Sequence, residues 1–294
     1  MGRCLVYKMT EQDISVFGAT GFIGSKFVSL FENETLIVPR EENKAQTKNI
    51  LYFISTVDNY NIHKDLKIDI NTNLIKLMDV LQALDPNEHK NTVFNFVSSW
   101  FVYGQNNEIP FNEDHSRCKP TGFYSITKLC AEQLLISFCE TFGIKYRIFR
   151  LANIIGEGDK KISKQKNALQ FLISEIVKGN DVSLYYGGDV LRDYMYVEDA
   201  CKAIHLCTKK APYNTTINIG SGTPYRFRDL IEKAIQFANS ESKIVEIQPT
   251  SFHNIVQVRH SYLDTTKLKS LGFNQKNDID GTIKKLIDYY KKTK

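Results

Sequence analysis

The 294-residue sequence is short of several things, and each shortage narrows the field. Its six cysteines (Cys4, Cys118, Cys130, Cys139, Cys201 and Cys207) form no Cys-x-x-Cys pair and have no histidine cluster beside them, so neither a structural zinc site nor any other metal centre is expected. Free thiols in a reducing cytoplasm are the simplest account of them. No apolar run is long enough to span a bilayer, so no membrane partner is expected. The opening residues MGRCLVYKMTEQ lack the apolar core of a signal peptide, and the Met-Gly start is followed by valine rather than Ser or Thr at position six, which argues against myristoylation. Met9 reads as a natural start, with residues 1–8 as an unstructured extension. The net charge is +5, but the basic residues are scattered, and several (Lys284, Lys285, Lys291, Lys292, Lys294) belong to the last helical stretch. No basic cluster is interleaved with aromatics, so no nucleic-acid partner is expected.

What is present reads as a globular chain with 42% hydrophobic and 24% charged residues, enough for one large domain or two unequal ones without disulfides. Short apolar runs alternate with amphipathic stretches. Strands are predicted at Ile14–Phe17, TLIVP, LYFIST, TVFNFVSS and KYRIFRL, with helices over 22–32, 73–84 and 123–141. This strand–helix alternation predicts an α/β fold with a doubly wound parallel sheet. Only about ten residues separate the second and third strands, which leaves room for little more than a short crossover and trims one sheet edge. After Asn153 glycines, lysines and short strands mix with helices near 167–178, 198–209, 227–238 and 279–292. The expected division is a dinucleotide-binding domain over 9–153, with its last strands and helices shared with later segments, and a smaller, mainly substrate-binding lobe over 154–294.

Residues 14–24, ISVFGATGFIG, place Gly18, Gly21 and Gly24 directly after a strand and at the opening of a helix. Gly18 permits the tight turn, Gly21 lets backbone N–H groups approach a pyrophosphate, and Gly24 lets the helix pack closely on the sheet. Thr20, Phe22 and Ile23 complete this cofactor-binding turn, and the pattern predicts a Rossmann-like dinucleotide site. The next strand should end at the adenosine ribose, where an acid would accept hydrogen bonds from the hydroxyls of NAD. Pro39 stands there, followed by Arg40, a cation suited to a 2′-phosphate, so NADP(H) is favoured. Glu41 and Glu42 keep NAD(H) open if the register shifts.

In GFYSITKLC, Tyr124 and Lys128 are four apart on one helix face, where the lysine is expected to lower the phenol's pKa and fit it for proton transfer. Ser99, at the end of its strand, is placed to hydrogen-bond the same reacting oxygen.

These motifs, with SSWFVYG (98–104), RLANIIGEGD (150–159), RDYMYVEDA (192–200) and INIGSG (217–222), resemble in order and spacing the extended short-chain dehydrogenase/reductases, in the nucleotide-sugar epimerase/dehydratase/reductase group, over essentially the whole chain. The resemblance implies Ser99, Tyr124 and Lys128 as catalytic triad, with Lys128 also on the nicotinamide ribose. It implies Asn73 as a structural asparagine. It also implies a nucleotide-diphosphate sugar held by Ser99, Tyr124, Asn153, Arg192 and Arg259, and a homodimer through the Tyr–Lys helix and its neighbour. Family 4,6-dehydratases carry Asp-Glu after the triad Ser/Thr; here Trp100 and Phe101 stand there and cannot exchange a proton. The family's GDP-fucose synthases have a cysteine near this point, and Phe101 cannot replace it either. Two activities remain: an NADPH-dependent reductase of a nucleotide-linked 4-keto-6-deoxy sugar, similar to CDP-abequose synthase-type 4-ketoreductases of deoxysugar biosynthesis, and a 4-epimerase with tightly held NAD. A non-catalytic dinucleotide sensor is the third reading, disfavoured because Tyr124 and Lys128 are both retained.

Overall fold

The computed structural model describes residues 13–105, 108–160, 162–163 and 166–293, with Pro86, Glu88 and His89 described by backbone alone. The expectations for residues 1–8, Met9 and Cys4 fall outside the described residues.

The chain opens with β1 (Ile14–Phe17), buried throughout, then α1 (Phe22–Leu30), β2 (Thr35–Ile37) and β3 (Asn49–Tyr52). No helix crosses between β2 and β3. The polar segment there is tied down instead by buried Ser15, whose Oγ accepts the N–H groups of Gln46 (2.9 Å) and Thr47 (2.8 Å). A helical stretch follows as α2 (Lys67–Ile70), a π turn (Asn71–Ile75) and α3 (Lys76–Gln82). It starts six residues before the predicted Asn73, because its first turns bury Asp69 and Asn73 rather than an apolar stripe. Next come β4 (Val93–Ser99), α4 (Phe123–Phe142) and β5 (Lys145–Leu151). Gly143, with φ of 69°, closes α4 in the left-handed conformation open to glycine.

The remaining elements are β6 (Asn153–Ile155), α5 (Ala168–Lys178), β7 (Val182–Tyr185), β8 (Leu191–Arg192) and β9 (Tyr194–Tyr196). They continue through α6 (Val197–Lys210), β10 (Thr215–Ile219), β11 (Tyr225–Arg226), α7 (Phe227–Ala238) and β12 (Ile244–Ile247). The chain ends with α8 (Ser251–Val256), α9 (Thr266–Ser270) and α10 (Ile279–Lys292).

Among the described residues, six parallel strands form the main sheet in the order β10-β5-β4-β3-β1-β2. The usual doubly wound order carries one more strand beyond the second; the short β2–β3 connection has no residues to spare for it. α1 and α6 share one apolar core with the sheet, and α3 and α4 share the other. Thus α6 and β10, though late in the sequence, belong to the sheet body. α5, α7 and α10 surround a separate core, which forms the smaller lobe.

Candidate active site

A cavity of about 1770 Å³ opens at the C-terminal ends of the parallel strands, between the sheet body and the smaller lobe. A single drug-sized ligand needs roughly 300–1,000 Å³, so this space suits two ligands end to end. Gly18, Thr20, Gly21, Phe22, Ile23, Gly24 and Arg40 line one part of it, and Ser99, Tyr124 and Lys128 line another. Asn153, Arg192 and Arg259 line a third part. The predicted catalytic, cofactor and substrate residues therefore border one space; Glu41 borders it too, whereas Glu42 does not.

The glycine turn is built as a cradle. Gly18 has φ of 78°, and a Cβ on Gly24 would lie 2.3 Å from the Gly18 carbonyl oxygen, so α1 rests directly on the turn. The Gly21 N–H closes the turn on Gly18 O at 3.1 Å. Gly21 caps α1 without a side-chain acceptor, leaving the first-turn N–H groups free to meet an anion in the cavity. Arg40 stands just past β2 on the cavity wall, and among the described residues its guanidinium makes no ion pair. Backbone donors, a helix N-terminus and a nearby cation fit the phosphates of a dinucleotide.

Tyr124 is buried on the first turn of α4, and Lys128 follows it four residues later, 1% exposed. Burial pushes the Tyr124 phenol up to about 12; the Ser99 and Ser55 hydroxyls pull the other way, and Asp69 adds to the rise. Burial also pulls Lys128 down to about 7, against the pull of Glu132. Its ammonium donates to the Val97 carbonyl at 2.8 Å and lies 4.1 Å from the Phe96 ring centroid. The expectation that Lys128 lowers the phenol pKa is thus not met in this geometry. Both groups are desolvated, and desolvation, the largest cause acting on each, favours their neutral forms. Ser99 is oriented by its neighbours: its Oγ accepts the Phe101 N–H at 3.3 Å, which leaves its own proton to be donated into the cavity.

Asn73 fixes α4 against the sheet. Its amide donates to Thr127 Oγ1 (3.0 Å) on α4 and to Thr56 Oγ1 (2.9 Å) after β3, while its carbonyl oxygen accepts the Thr56 N–H (2.9 Å) and the Ser55 hydroxyl (3.2 Å). Thr56 in turn donates to buried Asp69, which also accepts from Asn61 at 3.0 Å. A π turn at Asn71–Ile75 is what aims this side chain inward.

Trp100 and Phe101 begin a short 3₁₀ turn beyond β4. Their rings stack at 4.0 Å, and the Phe101 and Tyr124 rings meet in a T-shaped arrangement at 6.2 Å. Trp100 is buried with Phe111, Ala152, Val258 and Leu263, and both aromatics border the cavity. Arg192 lies over Trp100, with its guanidinium 5.9 Å from the ring centroid. Its N–H groups are held by the carbonyls of Leu191 (2.8 Å), Val258 (2.8 Å) and Arg259 (2.7 Å). Asn153 donates to Asp193 O at 2.9 Å, and Arg259 stacks over Tyr186 at 5.6 Å.

Two features of the site escape the sequence reading. The segment PTSFHNIVQ, which carries no motif, forms α8 and straps the cavity mouth. His253 meets the Tyr60 hydroxyl at 2.9 Å from one side and packs on Tyr185 at 4.2 Å from the other, and Asn254 accepts from Tyr186. The second is the buried pair Glu132–Arg150 behind Lys128. Its signal was available, since Glu132 follows Lys128 at the same four-residue spacing that links Lys128 to Tyr124.

Residues 52–220 match the NAD dependent epimerase/dehydratase family. The fold is similar to that of the UDP-glucose 4-epimerase of Thermotoga maritima solved with UDP-glucose, at a TM-score of 0.83 and 23% identity, covering 96% of this chain and 99% of that one. A UDP-N-acetylglucosamine 4-epimerase from Methanobrevibacter ruminantium M1 superposes with a TM-score of 0.84 at 21% identity, covering 97% and 100%. RMD from Pseudomonas aeruginosa, solved with NADPH, gives a TM-score of 0.83 at 20% identity, covering 96% and 99%.

Proposed function

The chain belongs to the NAD-dependent epimerase/dehydratase family, and from that premise we propose that it is an NADPH-dependent reductase acting at C4 of a nucleotide-linked 4-keto-6-deoxy sugar. The observation that carries this reading is the stacked Trp100–Phe101 pair, whose Phe101 ring meets Tyr124 in a T-shaped contact. Acid/base work at C5 and C6 has no side chain to perform it there, and one proton-transfer group remains beside the reacting carbon. The free Arg40 guanidinium supports NADP over NAD.

A nicotinamide dinucleotide supplies a hydride when bound. In this reading the glycine turn and the N-terminus of α1 hold its pyrophosphate, Arg40 pairs with the 2′-phosphate, and Lys128 orients the nicotinamide ribose. Tyr124 delivers a proton to the C4 oxygen as that carbon is reduced. Ser99 donates a hydrogen bond to the same oxygen. A phenol raised to about 12 is suited to this, because it keeps its proton until an alkoxide develops beside it. Asn153, Arg192 and Arg259 take the nucleotide diphosphate. Trp100 and Phe101 form an apolar floor for the C6 methyl group.

A second reading, a 4-epimerase with retained NAD, draws on the two 4-epimerases whose folds cover 96% and 97% of this chain, and on Glu41 beside Arg40 on the cavity wall. NADPH consumption, compared with NADH, over a panel of 4-keto-6-deoxy nucleotide sugars separates the two. Stoichiometric oxidation with NADPH preferred is expected. No oxidation, with NAD released on denaturing the purified protein, would mean an epimerase. Within the reductase reading, Tyr124→Phe is expected to lower turnover by about 1,000-fold with NADPH affinity unchanged; normal turnover would remove Tyr124 from the chemistry.

A further inference from the structure

Behind the cavity wall lies a buried ionic group that the proposed chemistry does not use. Glu132 is 0% exposed and Arg150 7%. Arg150 Nη2 meets Glu132 Oε2 at 2.7 Å and its Nε meets Oε1 at 3.2 Å, and Ser98 donates to Oε1 at 2.5 Å. The Arg150 guanidinium lies 4.7 Å from the centroid of the Tyr103 ring. A buried ion pair is a poor source of stability, since desolvating two charges offsets most of their attraction. Its location suggests another use. Glu132 lies one helical turn past Lys128, and Ser98 is the chain neighbour of Ser99.

We propose that Glu132, anchored by Arg150 and Ser98, is a positioning residue that places a negative charge one helical turn from Lys128 and holds the end of β4 against α4, so that Ser99, Tyr124 and Lys128 keep one geometry. The charge argument follows from what surrounds Lys128. On its own helix stand Tyr124, neutral at ordinary pH, and Glu132. Across from them, β4 offers the Val97 carbonyl and the Phe96 ring, and β5 offers Arg150, whose charge is engaged by Glu132. Asp69 of α2 acts on Tyr124. Glu132 is therefore the anion that opposes the loss of the Lys128 proton on burial. The mechanical argument rests on Ser98: its bond to Glu132 ties the last residues of β4 to the middle of α4. The catalytic meaning of this device rests on the reading of Tyr124 and Lys128 above, but its physical content does not.

The test is a substrate-free NMR titration of the full chain labelled with ¹³Cε-lysine, the Lys128 signal being assigned by its loss in Lys128→Met. In the wild type a midpoint near 7 is expected. Glu132→Gln should move it toward acid by about one pH unit, a tenfold change in the charged fraction above the midpoint. Because that variant leaves Arg150 buried and alone, the double variant Glu132→Gln/Arg150→Met, which replaces the pair with neutral groups of similar volume, is measured beside it. It should also shift toward acid. Ser98→Ala, which keeps both charges, should leave the midpoint in place while lowering kcat more than it raises KM. A folded double variant with an unmoved Lys128 midpoint overturns the proposal, and the pair is then a packing feature only. Loss of turnover in Tyr124→Phe is scored separately, so a failed enzymatic reading and a failed role for Glu132 remain distinguishable.

Discussion

Lys128 shows how much a single residue in this site gives up to stay where it is. In the unfolded chain it holds its proton to the ordinary value of 10.5, whereas in the folded protein burial brings it to about 7. Between these values the unfolded state binds a proton that the folded state does not, so this group makes stability rise with pH across that window. Its contribution is complete above 10.5 and lost as pH falls through about 7, where the ammonium must be buried charged. Lys128→Met should therefore melt higher than the wild type at about pH 6, with an advantage that shrinks toward about pH 10, while turnover collapses. Thermal melts of the two proteins across that range check it. An advantage that grew with pH would mean that Lys128 does not bear this cost.

At the scale of elements, the seat of α1 on the glycine turn is the tightest constraint. A methyl group at position 24 would sit 2.3 Å from Gly18 O, and the obstacle is backbone on both sides, so the helix must lift rather than a side chain swing away. Gly24→Ala is expected to cost roughly 1–3 kcal/mol of stability and to weaken NADPH binding at least tenfold. Fluorescence titration with NADPH and a denaturant melt would measure both, and unchanged affinity would mean that α1 does not hold the pyrophosphate. The joined helices α2 and α3 make the complementary point. Their π turn costs regular hydrogen bonding, and in return Asn73 ties α4 to the loop after β3 through a fully hydrogen-bonded side chain.

For the molecule as a whole, the π turn at Asn71–Ile75, α3 and α4 carry a seam of exposed apolar side chains. Ile75 is 43% exposed, Met78 40%, Ile126 47% and Leu134 39%, and on α4 the spacing of Ile126, Cys130 and Leu134 keeps them in one row. Exposed apolar side chains on these elements suit a second copy of the same chain, which would bury them by twofold symmetry. The expected state is a homodimer, and Leu134→Glu should yield a monomer in sedimentation velocity with its melting temperature little changed. A monomeric wild type would end this reading. Among the described residues no helix is long and apolar enough to cross a membrane, so the seam is not part of a membrane-spanning helix.

The sequence by itself determined the parallel α/β body, the glycine turn, the Tyr124–Lys128 face and the four long late helices to within a residue or two. These are local signals: apolar periodicity, glycine where a Cβ has no room, and side chains four apart on a helix. It also showed what Trp100 and Phe101 exclude, because lacking a transferable proton is a property of the residue and not of its surroundings. Only the tertiary structure decided which later segments, α6 and β10, return to the sheet body, that α8 straps the cavity, and that Glu132 finds Arg150 and Ser98. Those depend on residues far apart in the chain meeting across the sheet. Tertiary structure also reversed one electrostatic expectation. Spacing alone makes Lys128 a cation beside a phenol, but desolvation in the closed site acts on both and moves each toward its neutral form.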